Sequence, residues 1–281
     1  MTVTLMPPLS SNIPASPCCA PLSSRAMVER VIQAMRGRLD RPWNLDDLAA
    51  VAGMSVYHFH RIFRSVTGIP PSEFLTLLRI QEAKRLLLTT SWRVTDICLE
   101  VGYTSVGTFT ARFSQCVGTS PGRLRQFADT AVLPSVDRLG DLANADRGPM
   151  ARPDLAGRIT ASGEARGPVF VGLFPKPIPR ARPVAGTVMI SPGPYQLSAV
   201  PDGRYFLLAA ALPWAEDPRV PLLSGAGMLV GAHAGPLTIQ GGTTRPDADI
   251  TLRPVLPTDP PVLSSLPFFL SQRLAGAVGA A

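Results

Sequence analysis

An internal repeat constrains this chain more than any other feature. Trp43-Asn44-Leu45-Asp46-Asp47-Leu48 corresponds to Trp92-Arg93-Val94-Thr95-Asp96-Ile97 forty-nine residues later, and Gly53 corresponds to Gly102 at the same offset. One extra residue near Ser105 moves the later matches to fifty: Phe59 with Phe109, Phe63 with Phe113, Gly68 with Gly118 and Pro71 with Pro121. Seven identities on a nearly constant offset, with apolar positions kept between them, mark a duplicated structural unit.

Each copy reads as a short helix, a glycine turn and a longer helix. In the first, Asn44 can cap a helix and Asp47 places a carboxylate near its positive end. Leu45, Leu48, Ala49 and Ala52 form its inward side, and Gly53 supplies the positive φ that ends it. Ser55 starts a second helix with Val56, Phe59, Ile62, Phe63 and Val66 inward, stopped by Gly68. The second copy runs from Val94 to Val101, turns at Gly102, and continues from Ser105 to Val117 before Gly118. This is the arrangement of DNA-binding helix-turn-helix units, whose second helix enters the major groove. The spacing predicts units at about 45–68 and 94–118. Between them, a helix from Ser72-Glu73 to about Thr89 would span ~27 Å. Two recognition helices on one face of B-DNA sit about 34 Å apart, so a rigid helix of this size is a spacer of the right order.

Composition bounds the rest. The chain has 281 residues, 46% of them hydrophobic, enough for two ordinary domains with real cores. The formal net charge of +7, from 27 Lys+Arg against 20 Asp+Glu, suits a polyanionic partner without proving one. Residues 1–24 are rich in Pro and Ser and read as a disordered tail, with no basic segment that would make them a signal peptide. Residues 25–129 are helical in pattern, 130–154 form a polar linker, and 155–254 return Pro and Gly between short apolar runs. Residues 255–281 are a Pro-rich and then apolar tail, in which Phe268-Phe269-Leu270 could dock on the preceding domain. No apolar run reaches the length of a membrane span, and the expected location is the cytoplasm.

Cys18, Cys19, Cys98 and Cys116 lack metal-ligand spacing and suit a reduced, structural role. His58 and His60, two apart on a helix, point to different sides with no third ligand in place, so no metal is expected. Tyr103 and the four repeat phenylalanines read as core, and Asp46 and Asp47 as helix-start residues. No cofactor and no catalytic residue is indicated.

From 27 to 127 the chain resembles the DNA-binding domain of the AraC-type family of transcription regulators. The run Ile97…Val101-Gly102-Tyr103…Phe109…Arg112-Phe113…Val117-Gly118…Ser120-Pro121 carries the resemblance. It implies a seven-helix domain with both recognition helices in successive major-groove segments of double-stranded DNA. The family's base-reading positions fall on Tyr57, His60 and Arg61, with Arg64 one turn on suited to phosphate. On the second helix they fall on Val106, Gly107, Thr110 and Ala111, beside Arg112. Val106 and Ala111 offer only apolar contact and Gly107 none. The second unit is therefore expected to lean on shape and backbone through Thr104, Ser105, Thr108 and Arg112.

The second half predicts strands at Ala156–Thr160, Pro168–Phe174, Thr187–Ile190, Tyr195–Ala199, Tyr205–Ala211, Met228–Val230, Pro236–Gln240 and Asp249–Arg253. Pro201-Asp202-Gly203 suggests a hairpin joining Tyr195–Val200 to Arg204–Ala211. The expected architecture is an all-β sandwich, and the stretch from Gly193 to Ala209 resembles transthyretin-like and carboxypeptidase regulatory-like sandwiches. Such a domain could bind a small-molecule effector, self-associate or contact RNA polymerase. The expectation is a sequence-specific regulator and not an enzyme. A DNA-binding half fused to an enzymatic or nonspecific architectural module is the alternative, and the second half is poorly supplied for the former, with one histidine and no cysteine.

Overall fold

The computed structural model describes residues 23–130 and 154–264, apart from 166, 216, 218, 221–222, 224–226 and 241–246. Almost all of the N-terminal tail, with Cys18 and Cys19, lies outside the described residues. So do positions 131–153 of the linker and residues 265–281 with Phe268-Phe269-Leu270.

Among the described residues, seven helices fill the first half: α1 (Ser24–Gly37), α2 (Leu45–Ala52), α3 (Val56–Thr67), α4 (Pro71–Thr89), α5 (Val94–Glu100), α6 (Val106–Val117) and α7 (Pro121–Thr130). Local chemistry sets their ends. The Asn44 side chain accepts from the Asp47 N–H at 2.7 Å while the Asp47 carboxylate accepts from the Asn44 N–H at 3.4 Å, a complete capping box for α2. Gly53, Gly68 and Gly118 close α2, α3 and α6 in the left-handed region.

The repeat is visible in the core. Phe59 and Phe63 of α3 and Phe109 and Phe113 of α6 are all buried, each pair with rings 5.5–5.7 Å apart. Between the copies, α4 buries Phe74, Leu75, Leu77, Leu78, Ile80 and Leu87 around its whole circumference, as a hub helix must. Its 19 residues span about 28 Å. Two arginines tie the copies to their exits. Arg79 of α4 donates to the carbonyls of Leu39 and Arg41 at 3.0 and 2.8 Å, ahead of Trp43. Arg125 of α7 donates to those of Leu87 and Thr90 at 3.2 and 3.4 Å, ahead of Trp92.

The second half is β-rich: β1 (Leu155–Ala161), β2 (Val169–Phe174), β3 (Ala185–Met189), β4 (Pro194–Leu197), β5 (Gly203–Ala211), β6 (Leu229–Ala232), β7 (Leu237–Ile239) and β8 (Ile250–Pro254). Every strand expected from the sequence is present. The sandwich is not: the strands form one hydrogen-bonded path, β3-β2-β5-β6-β8-β1-β4, with β7 paired to β5. The end strands β3 and β4 come into contact, so the path curls nearly into a barrel. The expected hairpin is also absent. β4 pairs with β1 and β5 with β2, β6 and β7. After β4 the chain turns at Ala199, which takes a left-handed φ of 56°, and the Val200 N–H is captured by the Asp154 carboxylate at 2.9 Å. The connection thus leaves the edge occupied by β4 before the Pro201-Asp202-Gly203 turn can fold it back.

The two halves are packed together. Ile178, from the connection between β2 and β3, and Leu263, from the segment after β8, are buried in the helical core. Arg180 pairs with Glu73 of α4 at 2.7 Å, and the Ala181 N–H donates to the Cys116 carbonyl of α6 at 2.8 Å. The Lys84 ammonium of α4, fully buried, donates to the Leu263 carbonyl at 3.2 Å. Among the described residues no helix is long and apolar enough to cross a membrane.

Candidate nucleic-acid interface

α3 buries Phe59 and Phe63, so helical geometry turns the intervening positions outward. Tyr57 stands at the first turn with 82% of its surface exposed, an unusual setting for an aromatic residue. Arg61 and Arg64 are exposed, and His60 is half-buried between them and the core. The structure therefore brings Tyr57, His60, Arg61 and Arg64 onto one helix. Two long cations and an accessible phenol there can meet phosphate oxygens and the donors and acceptors of base edges.

α6 presents different chemistry from an equivalent position. Phe109 and Phe113 face in, while Thr104, Ser105, Val106, Gly107, Thr108, Ala111 and Arg112 are exposed and Thr110 is half-buried. Ser105 caps the helix by accepting from the Thr108 N–H at 3.4 Å. Arg112 lies within 3.4 Å of the Gln115 amide oxygen, which holds its guanidinium along the helix. The face offers hydroxyls, a helix N-terminus and one cation, suited to sugar-phosphate contact.

Two features that position the site were not singled out from sequence. Arg79 and Arg125 occupy corresponding helices of the two copies, and their shared residue type is the signal that could have found them. Gly102 was read from sequence only as a turn glycine, and its close packing is the other. It has a φ of +81°, and an added methyl would lie 2.5 Å from the Leu39 carbonyl oxygen and 2.9 Å from the Arg79 guanidinium. That glycine is needed for close approach as well as for its turn.

Among the described residues no group of three His, Cys, Asp or Glu could hold a metal ion. Burial raises the thiol pKa values of both Cys98 and Cys116, which leaves them poor nucleophiles.

A helix-turn-helix domain model matches residues 48–126, which span both glycine turns. The transcriptional activator AarP of Providencia stuartii is 33% identical over 105 residues, covering 37% of this chain and 77% of AarP. The chain belongs to the AraC-type family of transcription regulators. The bifunctional transcriptional activator and DNA repair enzyme AdaA of Bacillus subtilis is 28% identical over 118 residues, 40% of this chain. The chain spans just over half of AdaA, 56% of its length. Among solved structures, the DNA-binding domain of the global transcriptional factor AdpA, crystallised with a target DNA, is 30% identical. It covers 37% of this chain and 95% of that one, with a TM-score of 0.35.

The AraC-type chain is a DNA-binding transcription regulator. Its matched residues lie wholly within the helical half, where Tyr57, Arg61 and Arg64 stand exposed.

Proposed function

We propose that this AraC-type domain reads two successive major-groove segments of specific DNA through two helix-turn-helix units, α2–α3 and α5–α6. The first recognition helix supplies base readout through Tyr57, His60 and Arg61, with Arg64 on phosphate. The second, with Val106, Gly107 and Ala111 outermost, contributes shape and backbone contacts through Thr104, Ser105, Thr108, Thr110 and Arg112. The observation that carries this reading is the contrast between two helices of like build: both bury a Phe pair, yet only α3 turns a run of long polar side chains outward.

The β-rich half receives a small-molecule effector in this reading, and the protein acts on DNA in the cytoplasm without catalysing a reaction. Burial that raises the pKa of both described thiols, and so weakens them as nucleophiles, supports a regulator over a thiol-dependent enzyme. Titration of a selected operator and a random duplex at two salt concentrations tests it. A specificity ratio well above the shared salt slope is expected. Equal affinity for both duplexes makes the protein an architectural binder instead.

A further inference from the structure

The two copies of the repeat treat their tryptophans differently. In the first, Trp43 is half-buried, and the Arg41 guanidinium lies over its ring, 4.3 Å from the centroid. The same guanidinium reaches the Asp47 carboxylate at 3.1 Å. One arginine thus covers an indole and neutralises a carboxylate four residues further on.

In the second copy Trp92 and Asp96 hold the equivalent places, forty-nine residues later, but Thr90 stands where Arg41 would. The Thr90 hydroxyl turns back to the Leu86 carbonyl at 2.7 Å. The approach of the backbone is not the cause, since Arg79 and Arg125 tether the two approaches alike. Trp92 is left 45% exposed. Asp96 is exposed too, its carboxylate meeting the hydroxyl of the adjoining Thr95 at 3.3 Å.

Two further changes enlarge this open face. Leu99 stands in place of Ala50 and Glu100 in place of Val51, and Leu99 is 63% exposed. Trp92, Asp96, Leu99 and Glu100 recur at three- and four-residue spacing and form one stripe, away from the buried Ile97 and Cys98. Together with Asp40 they line a single open depression. Its three carboxylates would repel phosphate, and none of the residues proposed to meet DNA belongs to it. The second copy therefore keeps the indole and the carboxylate that hold a guanidinium in the first, adds an apolar side chain, and lacks the arginine.

We propose that this stripe is a self-association surface, on which an arginine from a second copy of the chain takes the place that Arg41 takes in the first repeat. Arg38 is the side chain assigned to it. It pairs with Asp40, one of the residues lining the depression, at 3.5 Å, and its side chain is 67% exposed. So open an ion pair is worth little in water, and the guanidinium is easily drawn to a better site. A face that carries both the carboxylates and the arginine is self-complementary about a twofold axis. Arg38 of each copy then lies over the partner's Trp92 and against the partner's Asp96, with the two Leu99 side chains between them.

Sedimentation velocity of the full chain without DNA, at concentrations from about 1 to 100 μM, is the test. The wild type is expected to dimerise reversibly within that range. Leu99→Asp should weaken the dimer about tenfold or more. Asp96→Arg and Arg38→Asp should each weaken it to a similar degree, since each sets like charges against one another. An equal mixture of these two variants should recover the dimer, because every such contact then joins an arginine to an aspartate. That recovery also shows both variants to be folded. A wild type that stays monomeric throughout overturns the proposal. A dimer that all three substitutions leave unchanged overturns it as well, because it is then held elsewhere. Weakening by all three without recovery in the mixture overturns the second copy as the occupant. No duplex is present, so the outcome is independent of the reading of the DNA contacts.

Discussion

Arg180 of the β2–β3 connection reaches Glu73 in the first turn of α4 at 2.7 Å, with both side chains largely shielded from solvent. The pair joins the two halves of the protein at the helix on which the repeated units are hung. Removing one partner leaves the other charge partly buried and uncompensated. Arg180→Met or Glu73→Gln should each cost on the order of 1–3 kcal/mol. The double variant should cost less than the sum, because it removes both charges. Thermal unfolding of the four proteins of the cycle measures this, and strictly additive losses would show that the pair carries no coupling.

Arg61 and Arg64 lie three residues apart on α3, and their roles can be separated. Arg61→Ala should cost about 1–3 kcal/mol on the specific operator and relax selection at one base position. Arg64→Ala should weaken specific and random DNA alike and lower the salt slope by about one. Fluorescence anisotropy at several salt concentrations distinguishes the two. Equal losses on both duplexes for Arg61→Ala would make it a phosphate contact.

The turn glycines Gly53 and Gly102 are equivalent in sequence but not in surroundings. A methyl on Gly53 meets open space, so Gly53→Ala carries only the left-handed penalty of about 1–2 kcal/mol. Gly102→Ala must in addition push the Leu39 carbonyl and the Arg79 guanidinium away, which adds about 1–3 kcal/mol. Denaturant unfolding should rank Gly102→Ala as clearly the worse. The reverse order would mean that the Arg79 tether yields freely.

Lys84 gives the interface a pH dependence. Burial lowers its pKa from 10.5 to about 7. Between those values the unfolded chain binds the proton and the folded chain does not, so stability rises with pH across this window. Below about 7 both states are protonated and the dependence ends. A gain on the order of 1–3 kcal/mol from pH 7 to pH 10 is expected, and Lys84→Met should remove it while raising stability near neutral pH. Chemical unfolding of both proteins at several pH values decides the point, and parallel curves would place the Lys84 ammonium in water.

Much of the helical half was legible because its signals are local. Asn44 with Asp47 caps a helix wherever that sequence occurs, and the four turn glycines end helices through a property of their own backbone. The repeat also fixed which faces are inward, since phenylalanines fifty residues apart had to fill equivalent places. The exposure of Tyr57, Arg61 and Arg64 followed from the same periodicity. The strands were legible too, from short apolar runs between turn residues.

Strand order was not. Residues 195–211 read as a hairpin because the turn chemistry of Pro201-Asp202-Gly203 is local, yet Asp154, far off in sequence, holds Val200 and keeps β4 on β1. The same limit hid which face of the sheet is inward. Which of two apolar faces of β2 and β5 meets the core depends on how the sheet curls, and curling is a property of all eight strands. The sequence by itself determined the duplicated helical units and the side chains they turn outward, because capping, turns and periodicity act within a few residues. Only the tertiary structure decided that Gly102 lies under Leu39 and Arg79, that Lys84 is buried, and that the β2–β3 connection and the segment after β8 rest on α4 and α6. Those are contacts between residues tens to nearly two hundred positions apart, brought together by packing.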